Sequence, residues 1–479
     1  MIAGLVGVVR RGCRTMGAMT STDRSGEAAP GVDPLAEVYA AILERAPEHD
    51  VGPTLDRVRA VCDLLGNPQH AYRVVHVTGT NGKSSTARMI ERLVREHGLR
   101  TGRFTSPHLH SVTERIAIDG QAIDPERFVE VWQDVAPYVH IVDQRSRAAG
   151  GPRLSFFEVL TVMAFAAFAD APVDVAVIEV GMGGRWDATN VADADVAVIA
   201  PIAMDHERWL GYDVLSIAEE KVGIVKPGSE LVLAEQRPDV DGVVLAAAAE
   251  LGVRVVREGA DLAVAGRQVA VGGQLVDLRT TGGLYTEILL PLHGAHQAHN
   301  ALLALSAVEL LLRGGGALAG EAVEAAFADV RSPGRLEVVR SSPVVLVDAA
   351  HNPAGAEALV AAIEDAFSFT RVVGVVGILD DKDAEAILGA LEPLLAEVVV
   401  TRSGSERALA VADLETIAHE VFGPDRVIAA ERLDEAITRA VDLAEQGGTG
   451  QVPGPGVLVT GSITLVAEAR TLLGRQEQE

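Results

Sequence analysis

An α/β fold with two parallel-sheet units in series is what this sequence predicts, and its aliphatic runs, one glycine turn and one break in pattern carry that reading. Asp174 to Val180 and Asp195 to Ile202 are continuous aliphatic stretches, the pattern of strands buried on both faces of a parallel sheet. Arg73 to Val77 is a short apolar run that passes through a glycine turn into helical spacing from Ser84 to Glu96, which reads as strand, loop and helix. The pattern breaks around Arg331-Ser332-Pro333-Gly334, and a second series of strands and helices opens at Val344.

In chain order, residues 1–32 read as a disordered leader. Ser, Gly and Pro are scattered from Thr20 to Pro34, and the apolar run Ile2 to Val9 precedes Arg10, Arg11 and Arg14, the reverse of a signal peptide's charge order. Met16 and Met19 are alternative starts, and structure is expected from about Asp33. Apolar residues recur at helical spacing from Pro34 to Leu65 in two blocks around Glu48 to Pro53, so two helices and a loop are expected. Leu160 to Ala169 is the longest apolar stretch; it falls short of the roughly 20 residues a membrane span needs and reads as a buried helix. Val253 to Leu290 alternates around glycine pairs and reads as a meander appended to the first sheet. An amphipathic helix follows from His296 to Arg313. The boundary then falls between an N-terminal domain, 33–331, and a C-terminal domain, 332–479. Runs at Val344 to Val347, Arg371 to Ile378, Glu397 to Thr401, Arg426 to Ala429 and Gly456 to Thr460 give the latter a smaller doubly wound sheet.

The chain has 479 residues, 48% apolar and 23% charged, a globular composition long enough for two or three domains. Its formal net charge of -26 disfavours a sequence-independent grip on nucleic acid or anionic membrane, so any phosphate site must be local. Cys13 and Cys62 lack metal-ligand spacing, which fits a reducing, cytoplasmic setting without a disulfide framework or zinc. A soluble monomer is expected.

His76-Val77-Thr78-Gly79-Thr80-Asn81-Gly82-Lys83-Ser84-Ser85 ends a strand and opens a helix, where backbone N–H groups and the helix dipole favour phosphate oxygens. Lys83 would hold the outer phosphates, and Ser84 has the place of the hydroxyl that meets magnesium. Val77 stands where the general pattern has its first glycine. The fold class is thus a P-loop ATPase domain on a parallel-sheet core, followed by a smaller Rossmann-like α/β domain. Glu179 ends a buried strand just before glycines, as an acidic magnesium or water ligand would, although a capping carboxylate has the same pattern. His206 alone reads more often as a satisfied core or surface histidine than as a ligand. Ser216 to Ile224, with Glu219, Glu220 and Lys221, reads as a solvated helix face.

Taken together, the nucleotide loop, Thr105-Ser106-Pro107-His108-Leu109, the segment Glu179 to Asn190 and Asp205-His206 resemble the folylpolyglutamate synthase and dihydrofolate synthase family, within the Mur-ligase-like amide ligases. The resemblance runs from about Pro34 to Leu473. Muramyl-peptide ligases carry a nucleotide-sugar domain before the loop, and the 73 residues before Val74 do not accommodate one. The resemblance implies ATP and two magnesium ions, with Ser106, Glu179, His206 and a carbamylated Lys221 as metal ligands. It places Gly79 to Ser85, Asn300, Arg335 and Asp348 on ATP, with His351 beside the phosphates; Lys83, His206, Lys221, Arg335 and His351 would serve catalysis. Ser155-Phe156-Phe157-Glu158 and Trp186-Asp187-Ala188 would form a pteroate pocket, although either phenylalanine by itself reads as core. Implied substrates are dihydropteroate or a reduced folate, L-glutamate and ATP, joined through an acyl phosphate. The segment Ser155 to Glu158 points to the bifunctional enzyme; a monofunctional folylpolyglutamate synthase is the near alternative and a P-loop NTPase switch the distant one. Gly377 to Asp383 and Thr460 to Ile463 lie at the carboxyl ends of expected strands, where they would face the cleft; surface loops read equally well.

Overall fold

The computed structural model describes residues 33–47, 52–446 and 454–474. The expected leader and most of the Glu48 to Pro53 loop lie outside the described residues.

The first sheet has eight strands, in the order Gln121–Ala122, Ile116–Ile118, Thr101–Phe104, Val175–Glu179, Arg73–Thr78, Val196–Ile199, Glu230–Leu233 and Arg254–Arg257. The last six are parallel and the first two form an antiparallel edge. Arg73–Thr78 lies near the centre and is buried from Val74 onward, because both faces carry helices. Val75, Val77, Val175 and Val177 pack under helices Lys83–Glu96 and Ala295–Arg313. Val74, Ala176 and Ile178 face the opposite layer, where Phe156–Asp170 and Pro125–Ala148 supply Phe165, Phe168 and Phe128. This alternation is the strand period of two acting on a sheet covered on both sides.

Leu160 to Ala169 lies within the buried helix Phe156–Asp170. The stretch from Val253 to Leu290 divides, however. Arg254–Arg257 joins the parallel sheet as its last strand, and only Ala263–Ala270, Gly273–Arg279 and Leu284–Leu290 form the separate antiparallel meander. Arg254 and Arg257 hide the strand from a reading by apolar continuity. Both tolerate the edge because their side chains reach Glu230 and Asp241 at 3.5 and 2.8 Å.

The second sheet has six strands, in the order Glu337–Ser341, Val344–Asp348, Gly456–Thr460, Val372–Val376, Glu397–Val400 and Val427–Ala429. Five are parallel, and Glu337–Ser341 adds an antiparallel edge. Helices cover both faces. Among the described residues no helix is long and apolar enough to cross a membrane. The carboxyl ends of the parallel strands of both sheets open on one cleft, lined by Lys83, Glu179, Asp205, Asp348 and Lys382 among others, as open α/β sheets place their ligands.

Candidate active site

The strand Arg73–Thr78 stops where Gly79 and Gly82 take positive φ, +144° and +87°, and the helix Lys83–Glu96 begins at once. A Cβ on Gly82 would lie 2.4 Å from Asn300 Oδ1, so glycine is required for space as well as for backbone angle. Lys83 Nζ reaches back to donate to the carbonyls of Gly79 and Thr80, each at 3.0 Å. Asn81 exchanges two hydrogen bonds with the Asn352 amide of the second sheet, at 3.1 and 3.0 Å. Ser85 and Ser332 hydroxyls meet at 3.0 Å. The loop is thus held from both sheets.

Glu179 is buried at the end of the neighbouring strand. Its Oε1 accepts from Ser84 Oγ at 2.8 Å and its Oε2 from the Ser106 amide at 3.2 Å. Burial raises its pKa while Lys83 and Ser84 oppose that rise; burial likewise lowers Lys83, against the attraction of Glu179 and Asp205. Arg335, which lines the same cleft, favours the charged forms of Glu179 and Asp348. Asp348 is buried and accepts from the amides of Leu336 and Ala350, both at 2.8 Å.

A second cluster converges on Asp205, the residue before His206. Lys382 Nζ lies 2.5 Å from its Oδ1, both side chains being 7% exposed. Asn352 donates to Oδ2 at 3.3 Å, and His351 and His206 Nε2 atoms stand 3.6 and 3.7 Å from the same oxygen. Burial opposes the charge on Asp205, but His351, His206 and Lys382 hold its carboxyl well below the usual range. Burial drives His206 down to about 3, so its imidazole is neutral and able to act as a ligand. Lys221 is buried, donates to Gly79 O at 2.8 Å, and is pushed down to about 7 by burial and by Lys83. His206, Lys221, Asp205 and Lys83 face one small recess beside Val180 to Gly183.

At the far wall of the cleft lie Phe157, Trp186, Asp187 and Ala188. Gly181 is pressed on Phe157: a Cβ there would stand 2.5 Å from the ring. Phe156 turns away from the cleft lining and is buried against Tyr39 and the Arg115 guanidinium. Ser155 and Glu158 both border the cleft but close a capping box at the start of Phe156–Asp170, worth about 1 kcal/mol. Glu158 also takes both Nε and Nη2 of Arg57, at 3.1 and 2.9 Å. The opposite end of the cleft holds Asn300, His296 and His299, the last bonded to Glu258 at 2.5 Å. Burial, then Arg335, lowers His296 to about 4.

Arg57, Asp205, Asn352, Lys382, Glu258 and His299 were not assigned from the sequence. Asp205, beside His206, Lys382, within a strand-end acidic cluster, and Asn352, between His351 and Pro353, carried a local signal; Arg57, Glu258 and His299 carried none.

A phosphate-type loop on one parallel sheet, closed by a charged cluster that both sheets share, is the arrangement of an ATP-using ligase of the Mur type. Residues 77–308 match the Mur ligase middle domain, and residues 334–463 match the family described as Mur ligase, glutamate ligase domain. The chain is 50% identical over 474 residues to the dihydrofolate synthase/folylpolyglutamate synthase of Mycobacterium tuberculosis, covering 94% of this chain and 97% of the relative. The Escherichia coli dihydrofolate synthase/folylpolyglutamate synthase is 33% identical over 362 residues, 76% of this chain and 80% of that one. Among solved structures, Mycobacterium tuberculosis folylpolyglutamate synthase complexed with ADP and AMPPCP superposes with a TM-score of 0.88 at 51% identity, covering 93% of this chain and 99% of that one. E. coli FolC in complex with DHPP and ADP gives 0.79 at 28% identity, over 93% and 98%. The chain belongs to the dihydrofolate synthase/folylpolyglutamate synthase family of ATP-dependent ligases.

Proposed function

We propose that the chain is bifunctional, joining L-glutamate to dihydropteroate and to reduced folates in one cleft between an N-terminal domain, 33–331, and a C-terminal domain, 332–479. The observation that carries the ligase reading is the convergence of Lys83, Glu179 and Asp205 from the first sheet with Arg335, Asp348, His351 and Lys382 from the second; use of both acceptors rests on the aromatic wall of Phe157 and Trp186 in the same cleft. The bifunctional names of the relatives support it.

An amide cannot form from a carboxylate in water without activation. Transfer of the γ-phosphoryl group of ATP to the acceptor carboxylate forms an acyl phosphate and releases ADP. The neutral amine of glutamate then attacks the carbonyl carbon, the amide forms, and phosphate leaves. In this reading Lys83 and the amides of Gly79 to Ser85 cradle the phosphates, and Arg335 and His351 neutralise charge that develops on the transferred group. Asn300 and Asp348 hold the nucleotide. Phe157 and the Trp186 to Ala188 segment face the pteroate ring, which needs an aromatic face and few polar atoms. Phe156 is assigned to the core, and Ser155 and Glu158 to shaping the wall.

Magnesium fits these residues. The hydroxyl of Ser84 and the Glu179 carboxylate share one hydrogen bond, with Ser106 adjoining, and hard oxygen donors of this kind suit the ion. When bound it would neutralise phosphate charge. A second ion would be held by neutral His206 and by Lys221 after carbamylation. An amine near its pKa at about 7 is largely free base above neutrality, the form that attacks CO2, with loss of a proton, to give the carbamate. We expect carbon-13 bicarbonate to give a carbamate signal on the protein at pH 8 that fades as pH falls to 6 and disappears in Lys221→Arg. A signal unchanged in that variant would contradict the assignment.

Gly181→Ala would force Phe157 aside. Its expected result is a KM for dihydropteroate raised about tenfold or more, since a misplacement near 1 Å costs up to about 10²-fold, with the KM for ATP unchanged. Kinetics with each substrate varied in turn check it.

Product mass tests the function itself. Incubation with magnesium-ATP and glutamate is expected to add one glutamate to dihydropteroate and to a reduced folate. Addition to the folate alone identifies a monofunctional folylpolyglutamate synthase.

A further inference from the structure

His76 is a titratable side chain in the interior of the central strand, flanked by valines. It is fully buried, between Val75 and Val77, and points to the same face as its register partner Ile178. Its Nε2 lies 2.8 Å from Thr189 Oγ1, and its Nδ1 has no hydrogen-bond partner among the described residues. An apolar side chain here would avoid that unpartnered buried acceptor, so the imidazole is costly to keep.

The direction of each bond can be worked out. Burial pushes the Asp187 carboxyl up to about 6, so at neutral pH it is ionised and only accepts, and the Thr189 hydroxyl donates to its Oδ1. Thr189 Oγ1 therefore receives the Nε2–H of His76, which sets the tautomer and leaves Nδ1 as a bare lone pair. Burial holds the imidazole neutral, its pKa near 3. Asp187 Oδ1 also accepts the Thr189 amide, and Oδ2 the Met182 amide, both at 2.9 Å. The two amides hold one edge of the carboxylate, and the Thr189 hydroxyl supplies a further bond to Oδ1 that completes its placement. The hydroxyl would still be free to rotate, and the histidine removes that freedom by occupying its oxygen.

We propose that His76 and Thr189 are positioning residues for the acceptor: through the Thr189 hydroxyl, His76 fixes the Asp187 carboxylate in the wall that faces the pteroate ring. The relay rests on the reading of Trp186 to Ala188 as that wall. It ties the wall to the strand that, three residues beyond His76, becomes the phosphate loop. Acceptor and phosphate sites are thereby registered against one strand, and neither His76 nor Thr189 needs to touch a substrate.

The test uses the full chain with dihydropteroate, ATP and glutamate each varied in turn. Thr189→Val, which keeps shape and removes the hydroxyl, is expected to raise the KM for dihydropteroate about tenfold, the loss of one buried hydrogen bond to a charged group, with the KM for ATP within about twofold of the parent. Thr189→Ser restores the parent value. His76→Leu behaves like Thr189→Val, and the two combined are no worse than either, because they break one relay. If His76→Leu does not fold, the Thr189 pair decides alone. A parent-like dihydropteroate KM in Thr189→Val, with Asp187→Ala raised, overturns the relay and leaves the wall standing. A parent-like value in Asp187→Ala overturns the reading of the wall, and the relay with it.

Discussion

Lys83→Met is expected to lower kcat about 10³-fold while leaving the protein folded, the range found when a preorganised donor to developing charge is removed. Methionine keeps the length of the stem and its apolar packing and discards only the ammonium. Burial already lowers the pKa of Lys83, so the charge is a cost to the folded state that phosphate binding offsets. The two carbonyls it serves, Gly79 and Thr80, belong to the loop itself, so the loop would relax locally. Steady-state kinetics beside a thermal melt check the prediction. A loss under tenfold, with an unchanged melt, would remove Lys83 from the chemistry.

Glu179→Gln should act on the metal requirement. The substitution preserves shape and keeps an acceptor for Ser84 Oγ, now 2.8 Å from Oε1. It places an NH2 group against the Ser106 amide, which at present donates to Oε2 at 3.2 Å, and it removes the charge that opposes Lys83. Half-saturating magnesium is expected to rise about 10- to 100-fold, in line with the effects of disturbing the groups that hold a metal, and activity at saturating magnesium should recover in part. A magnesium titration of product formation measures both. An unchanged titration curve would show that Glu179 is a capping carboxylate, the alternative its position before glycines always allowed.

Features contiguous in the chain were legible in the sequence. The aliphatic runs ending at Thr78, Glu179 and Ile199 form the centre of the first sheet, because strands buried on both faces leave no room for polar alternation. Features that depend on distant pairing were not. Asp205 meets Lys382 across 177 positions and Asn81 meets Asn352 across 271, and no local pattern announces either. Arg254–Arg257 was absorbed into the meander because its charged ends mask a sheet strand. Gln121–Ala122 is too short for any periodicity. Glu158 shows a different limit: it sits beside two phenylalanines in sequence, yet its oxygens are used by Ser155 and by Arg57, 101 positions away. His76 lay inside the quoted nucleotide motif, but its bond to Thr189 spans 113 positions, so the strand alone gave it no task.

The stoichiometry of ATP use tests the central claim, that one cleft couples phosphoryl transfer to amide formation. With magnesium-ATP, glutamate and dihydropteroate, one ADP and one phosphate are expected for each dihydrofolate formed, and omission of either the acceptor or glutamate should stop net product. ATP consumed at the same rate with or without acceptor and glutamate, and no product of the added mass, would contradict the ligase account and leave a nucleotide hydrolase in its place.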